Sequence, residues 1–220
     1  MMARALPELA GGLAMTLELS GLTIVLSLIW GVVLVLGRLS RLRPLRLTCA
    51  GYLQLVRNTP VLVQMYFFYF GFAMAGLRLS GFTAGLLAMV LQNGGYMSEI
   101  YRAGIETVGA RQREAGLALG MRPFEAFQIV IFPQAVRLVL PPMTNQFVAI
   151  VKDTALVSTL SVADMMFRAR LMIDRTAAAY EVFADLTLMY LVLTATVALL
   201  MRAAEWRLGR AAEWRLGRIE

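Results

Sequence analysis

Long apolar runs separated by short charged stretches set the pattern of this chain. Five runs approach the roughly 20 residues that cross the hydrocarbon core of a bilayer. They lie at about Gly12 to Leu36, Leu55 to Leu77, Gly81 to Arg102, Leu138 to Leu160 and Phe183 to Met201. The pattern predicts an all-α integral membrane protein of five transmembrane helices. An odd number of spans puts the termini on opposite sides. With the N-terminus outside, most arginines fall on the inner side, from the cluster Arg38, Arg41, Arg43 and Arg46 to the tail. Only Arg4, Arg78, Arg168, Arg170 and Arg175 fall outside. Positive charge is retained on the cytoplasmic side, so the expected orientation is N-out, C-in.

Composition supports the membrane reading and narrows the chemistry. The chain has 220 residues, 59% of them hydrophobic, and a mean hydropathy of +0.68, above the range of soluble domains. Its net charge is +7, carried by arginine except at Lys152. These arginines cluster at the ends of apolar runs, which reads as membrane orientation and not as a phosphate-binding surface, so membrane lipid and no nucleic acid is expected around the chain. There is no histidine and one cysteine, Cys49. That excludes histidine-dependent catalysis, histidine-ligated metal and an intrachain disulfide. The N-terminus lacks a cleavable signal-peptide pattern, and the first apolar run reads as a retained span.

Smaller features sit on this frame. Gly11, Gly12, Ser20, Gly21, Ser27 and Gly31 suit close helix packing in the first span. Pro60, after Arg57, Asn58 and Thr59, falls in the expected first turn of the second span. The aromatic run Tyr66 to Phe70 suits lipid or helix packing, with the lining of a substrate path as the alternative. Glu99, Arg102 and Glu106 share one helix face, so both carboxylates can pair with Arg102 at the inner boundary. Lys152 and Asp153 interrupt the fourth run. Charges at that depth need a partner or water, so they either meet the charged groups of a zwitterion, pair with each other or a neighbouring subunit, or lie at the outer rim. The tail, 203–220, repeats Ala-Ala-Glu-Trp-Arg-Leu-Gly-Arg in tandem; Trp206 and Trp214 with the arginines suit a helix leaving along an anionic membrane surface.

The most informative segment is a polar island over 108–133. Residues from Ala110 to Gly120 favour helix. Gly120 can close that helix in a left-handed cap and Pro123 stops its continuation. Phe124 then begins a second short helix, giving a helix-turn-helix elbow. Such an elbow serves either as a docking surface for a soluble partner or as an ordinary interfacial loop.

The spacing within the island carries a resemblance. Glu114, Ala115, Gly116, Gly120, Val130, Phe132 and Pro133 resemble the E-A-A-x3-G-x9-I-x-L-P loop of binding-protein-dependent ABC importer permeases. Other stretches resemble the polar amino acid branch of that family: Tyr52 to Pro60, Tyr96 to Arg102, Phe132 to Arg137, Leu140 to Pro142, and Lys152 to Leu156. Asn58 stands where the pattern has Gly, Gly116 for the third Ala, Val130 for Ile, Phe132 for Leu, and Ala155 for Ser. The resemblance covers about 12–205.

The resemblance implies a type I importer permease domain over 12–205, in the bacterial cytoplasmic (inner) membrane. It implies that Glu114, Ala115, Gly116, Gly120 and Pro133 form a cytoplasmic loop coupling the spans to an ATPase. It makes Lys152, Asp153, Thr154 and Asn58 candidates for the substrate path. Implied partners are cytoplasmic ABC ATPase subunits, a second permease chain (identical or homologous) and an external solute-binding protein. The expected cargo is a polar amino acid or an opine-like compound. A phosphate-binding loop needs Gly-Lys-Ser/Thr, and the sole lysine, Lys152, lies between Val151 and Asp153. ATP and Mg are therefore expected on the partner ATPase, with no cofactor, metal or catalytic residue in this chain. The alternative reading is a secondary amino acid transporter driven by an ion gradient, for which Glu18, Glu99 and Asp153 are the candidate relay residues; no internal inverted repeat is evident for it.

Overall fold

A computed structural model describes residues 2–216, and every described element is helical. Helix α1 (Met2–Leu39) is followed by α2 (Arg43–Asn58) and α3 (Val61–Tyr66). A π-helical segment (Phe67–Gly71) leads into α4 (Phe72–Met74). Helix α5 (Gly81–Ala118) is one continuous rod. Helix α6 (Pro123–Glu125), a second π segment (Ala126–Ile131) and α7 (Phe132–Asp153) form the returning limb, which ends in a 3-10 stretch (Thr154–Leu160). Helices α8 (Met165–Thr176) and α9 (Ala179–Leu216) complete the described chain.

Among the described residues, three helical stretches are long and apolar enough to cross a membrane: Pro7–Leu39, Pro123–Leu160 and Ala179–Arg207. The run expected over Leu55 to Leu77 is not one helix. It is cut between Asn58 and Val61, leaving a shorter apolar helical stretch, Val61–Met74. Proline drives the break, because the residue before it is pushed out of the helical region; Thr59 and Pro60 are both extended. Pro60 thus precedes the first turn and does not sit in it. The carbonyls freed there are met by side chains: Gln64 Nε2 donates to Val56 O (2.9 Å) and to Thr59 O (3.2 Å), and Gln92 Nε2 donates to Thr59 O (3.3 Å).

The run expected over Gly81 to Arg102 is the first part of α5. Ser80 caps this helix, its hydroxyl accepting the Thr83 N–H at 3.1 Å. Nothing terminates it until Gly120, so the helix predicted from Ala110 is its extension.

Two apolar clusters hold the helices together. Leu19, Met65, Met89, Met97, Ile150 and Val157 pack where α1, α3, α5, α7 and the 3-10 stretch meet. Leu9, Met165, Ala169, Val182 and Leu186 join the start of α1 to α8 and α9. The small residues of α1 divide between roles. Ser20 and Ser27 are buried, Gly31 abuts Met97 and Gly12 abuts the backbone of Asp164. Gly11 and Gly21 face open space. The tail expected over 203–220 continues α9 as far as Leu216. The side chains beyond Arg207, Trp214 included, and residues 217–220 lie outside the described residues.

Candidate functional site

The elbow between α5 and α7 is built by backbone chemistry. Gly120 adopts φ +82°, a conformation open to glycine because it has no Cβ. The Met121 N–H then donates to Gly116 O (3.1 Å) and the Gly120 N–H to Leu117 O (3.0 Å). These two bonds form a Schellman closure that satisfies the last carbonyls of α5. Across the turn, Glu125 Oε2 accepts the Arg122 N–H at 2.9 Å and opens the returning limb. Pro133 is the second residue of α7, where its missing N–H removes one regular helical bond just after the π segment.

The elbow has an inner and an outer face. Gly116 is buried against Ala126, itself 0% exposed, so the two limbs meet at residues with almost no side chain. Glu114, Ala115, Gly120 and Pro133 are exposed, and Glu114 has no ion pair among the described residues. Leu119 (80% exposed) and Phe124 (71% exposed) project beside them. An exposed apolar patch rimmed by Arg111, Arg113, Glu114 and Arg122 has the make-up of a protein-docking surface. Leu119 and Phe124 are additions to the residues picked from sequence. Their signal is two large apolar side chains at the turn of an otherwise polar island.

Higher on α5 lies an ion cluster. Glu99 pairs with Arg38 of α1, with Arg57 of α2 (3.5 Å) and with Arg102 of its own helix (2.8 Å). Arg102 also reaches Glu106 at 2.5 Å. The expected Glu99–Arg102–Glu106 ladder is present, and it is also the knot joining three helices. Arg57 lies over the Tyr96 ring at 5.5 Å, a favourable cation–π arrangement.

This cluster forms one wall of a groove of about 640 Å³ between α5 and α7. Arg57, Tyr96 and Glu99 line one side; Leu138, Pro142, Asn145 and Gln146 line the other. Gln146 is held by its Nε2 donating to Asn93 Oδ1 (2.6 Å), and Asn93 in turn donates to Met89 O (2.7 Å). The groove offers a cation, an aromatic ring and two amides, a set able to bind a small charged and polar solute. Asn145 and Gln146 escaped sequence reasoning, although adjacent amides in an apolar helix are a usable signal.

The residues picked from sequence for a path lie elsewhere. Lys152 is exposed in the last turn of α7, where a cation suits the helix dipole. Asp153 is half-buried beside it. Thr154 is 0% exposed and donates to Val151 O at 2.7 Å. Asn58 is exposed and donates to Gln54 Oε1 at 3.0 Å. None of the four lines the groove, whereas Arg57, next to Asn58, does. Among the described residues no group of three or more His, Cys, Asp or Glu side chains could hold a metal ion.

A buried carboxylate marks the junction of α1, α8 and α9. Asp164 caps α8, its Oδ1 accepting the Phe167 N–H at 2.8 Å, while Oδ2 has no hydrogen-bond partner among the described residues. Burial pushes this carboxyl up to about 6, against the stabilising Phe167 N–H.

The chain matches known proteins along almost all of its length. Residues 23–210 match the family model described as binding-protein-dependent transport system inner membrane component. A probable glutamine ABC transporter permease protein, GlnM of Bacillus subtilis, is 34% identical over 193 residues, covering 88% of this chain and 89% of the relative. The nopaline transport system permease protein NocM of Agrobacterium fabrum is 34% identical over 211 residues, covering 91% and 87%. Among solved structures, the crystal structure of an amino acid ABC transporter with histidines has a chain that is 33% identical, with a TM-score of 0.88 over 94% of this chain and 96% of that one. An inward-facing MetNI methionine ABC transporter, 19% identical with a TM-score of 0.61 over 96% of this chain and 95% of that one, shares the fold.

Proposed function

We propose, from the premise that this chain belongs to the family of binding-protein-dependent transport system inner membrane components, that it is the permease subunit of an ATP-driven importer for polar amino acids or opine-like compounds. The observation that carries the reading is the family match over residues 23–210, which spans both the elbow and the groove. The glutamine and nopaline permeases among its relatives support the substrate class.

In this reading the protein lies in a bacterial inner membrane, N-out and C-in, and pairs with a second permease chain, identical or homologous. A separate cytoplasmic ATPase binds ATP and Mg and seats the elbow in a cleft. Glu114 supplies charge to that contact, and Leu119 and Phe124 supply apolar area. Ala115 and Gly116 keep the limbs slender, while Gly120 and Pro133 shape the turn. Closure of the ATPase pair displaces the elbow and swings α5 and α7, alternating access to the groove. An external solute-binding protein delivers the cargo. Arg57 and the amides of Asn145 and Gln146 meet it in the groove, and Lys152 and Asp153 stand at the end of the same helix. The chain itself catalyses no covalent step.

The test is uptake by proteoliposomes holding this chain, its ATPase and the binding protein. ATP-dependent accumulation of radiolabelled glutamine, arginine or nopaline is expected, and Glu114→Lys abolishes it without removing the permease from the membrane. Uptake that follows an ion gradient without the ATPase overturns the reading.

A further inference from the structure

The turn from α1 into α2 carries a feature to which the proposed import mechanism gives no role. From Arg38 to Leu47 arginine and leucine alternate almost residue by residue. Arg38 is committed to Glu99, but Arg41, Arg43 and Arg46 are exposed and make no ion pair among the described residues. No counter-charge is near in sequence: there is no Asp or Glu between Glu18 and Glu99. Leu42, Leu45 and Leu47 are exposed between the arginines, Leu42 at 66%.

Packing holds this arrangement in place. Helix α2 folds back on the end of α1 so closely that a Cβ on Gly37 would come within 2.5 Å of Cys49 Sγ. On its inner face Leu53 and Val56 are buried. The Trp30 Nε1–H donates to the Tyr52 hydroxyl (2.9 Å), which donates to Leu91 O (2.9 Å). With one face fixed to α1 and α5, the first two turns of α2 carry exposed arginines and leucines beside the end of α1, a helix long and apolar enough to span a bilayer. Arginine stems and leucines there can lie in the acyl boundary while the guanidinium groups reach the headgroups.

We infer that Arg41, Arg43 and Arg46 form an anionic-phospholipid site, with the exposed leucines seated among the acyl chains. Charge complementarity selects the occupant: three unpaired guanidinium groups beside exposed leucines match a phosphodiester headgroup joined to hydrocarbon, not a water-soluble anion. The site depends on the importer reading solely for which leaflet supplies the lipid.

Native mass spectrometry of the full-length chain in micelles doped with phosphatidylglycerol or phosphatidylcholine tests it. One basic residue at an anionic surface changes binding about fivefold. The wild type should therefore retain phosphatidylglycerol over phosphatidylcholine by at least about tenfold. The triple variant Arg41→Gln, Arg43→Gln, Arg46→Gln should lose that preference and the triple Arg→Lys variant should keep most of it. Equal retention of the two lipids by the wild type, or an undiminished preference in the Gln variant, overturns the site. If the Gln variant does not fold, a wild-type preference that survives high salt unchanged overturns it. A Gln variant that keeps its lipid but no longer co-purifies with the ATPase assigns the patch to protein docking and also overturns the proposal. Failure of the importer reading would appear as ATP-independent uptake and would leave the lipid ratio untouched.

Discussion

Gly116 and Ala126 face each other across the elbow so closely that a Cβ on Gly116 would sit 3.1 Å from the Ala126 Cβ. Glycine weakens the helix by about 1 kcal/mol relative to alanine, yet here it sets the separation of the two limbs. Gly116→Ala gains helix propensity and loses by crowding, so its thermal unfolding midpoint should stay within a few degrees of wild type. Gly116→Leu has no such room. It should force the limbs apart and lower permease-dependent ATPase stimulation at least about tenfold while the chain still inserts. Stimulation of the purified complex by its binding protein measures the difference.

Glu99 pairs with Arg38, Arg57 and Arg102, and Arg102 alone of the three has a second carboxylate, Glu106. Glu99→Gln leaves Arg38 and Arg57 with a neutral acceptor and Arg102 with Glu106 as its remaining carboxylate. Because the side chain is 21% exposed, the expected loss is about 2 kcal/mol and not the full penalty of a buried pair. Arg38→Gln in the Glu99→Gln background should cost less than it does alone. Denaturation of the four members of the cycle in detergent gives the coupling directly.

Asp164 predicts a slope in the pH dependence of stability. Its carboxyl sits at about 6 in the folded chain against 3.8 for the ordinary group. The folded state therefore binds the proton more readily than the unfolded state. The contribution of Asp164 to stability is greatest below about pH 4 and falls as pH rises to about 6, by at most about 3 kcal/mol, then levels off. Asp164→Asn keeps an acceptor for the Phe167 N–H and should flatten that slope. An unchanged slope in thermal melts from pH 4 to 7 would refute this.

Gln146 is oriented into the groove by Asn93. Gln146→Leu should raise the apparent KM for the transported solute roughly tenfold. Asn93→Leu should produce part of the same effect by releasing Gln146, and also lower stability by about 1 kcal/mol. Initial rates of uptake across a substrate series separate the two.

Much of this architecture was legible from residue order. The elbow turn could be placed because Gly120 and Pro123 obey local backbone rules that tertiary packing does not override. The Glu99–Arg102–Glu106 ladder could be placed because helical spacing alone brings those residues together. Its connection to Arg38 and Arg57 could not, since those partners lie 61 and 42 positions away in the chain. The second apolar run reads as one span because Leu55, Val61 and Leu62 are equally apolar on both sides of a break that a proline makes. Lys152, Asp153, Thr154 and Asn58 stand out in sequence as polar residues beside apolar runs, whereas the groove wall opposite Arg57 carries Asn145 and Gln146, amides that an apolar helix conceals.

The two limbs of the elbow differ in stiffness. Helix α5 runs without interruption from Gly81 to Ala118, about 57 Å at the usual rise per residue. The returning limb starts in a π segment and carries Pro133, Pro141 and Pro142. A push at the elbow therefore acts on one unjointed lever and one articulated arm. Under the proposed coupling, Tyr96 and Glu99 would move with the lever while Asn145 and Gln146 followed by bending, and the two walls of the groove would part unequally.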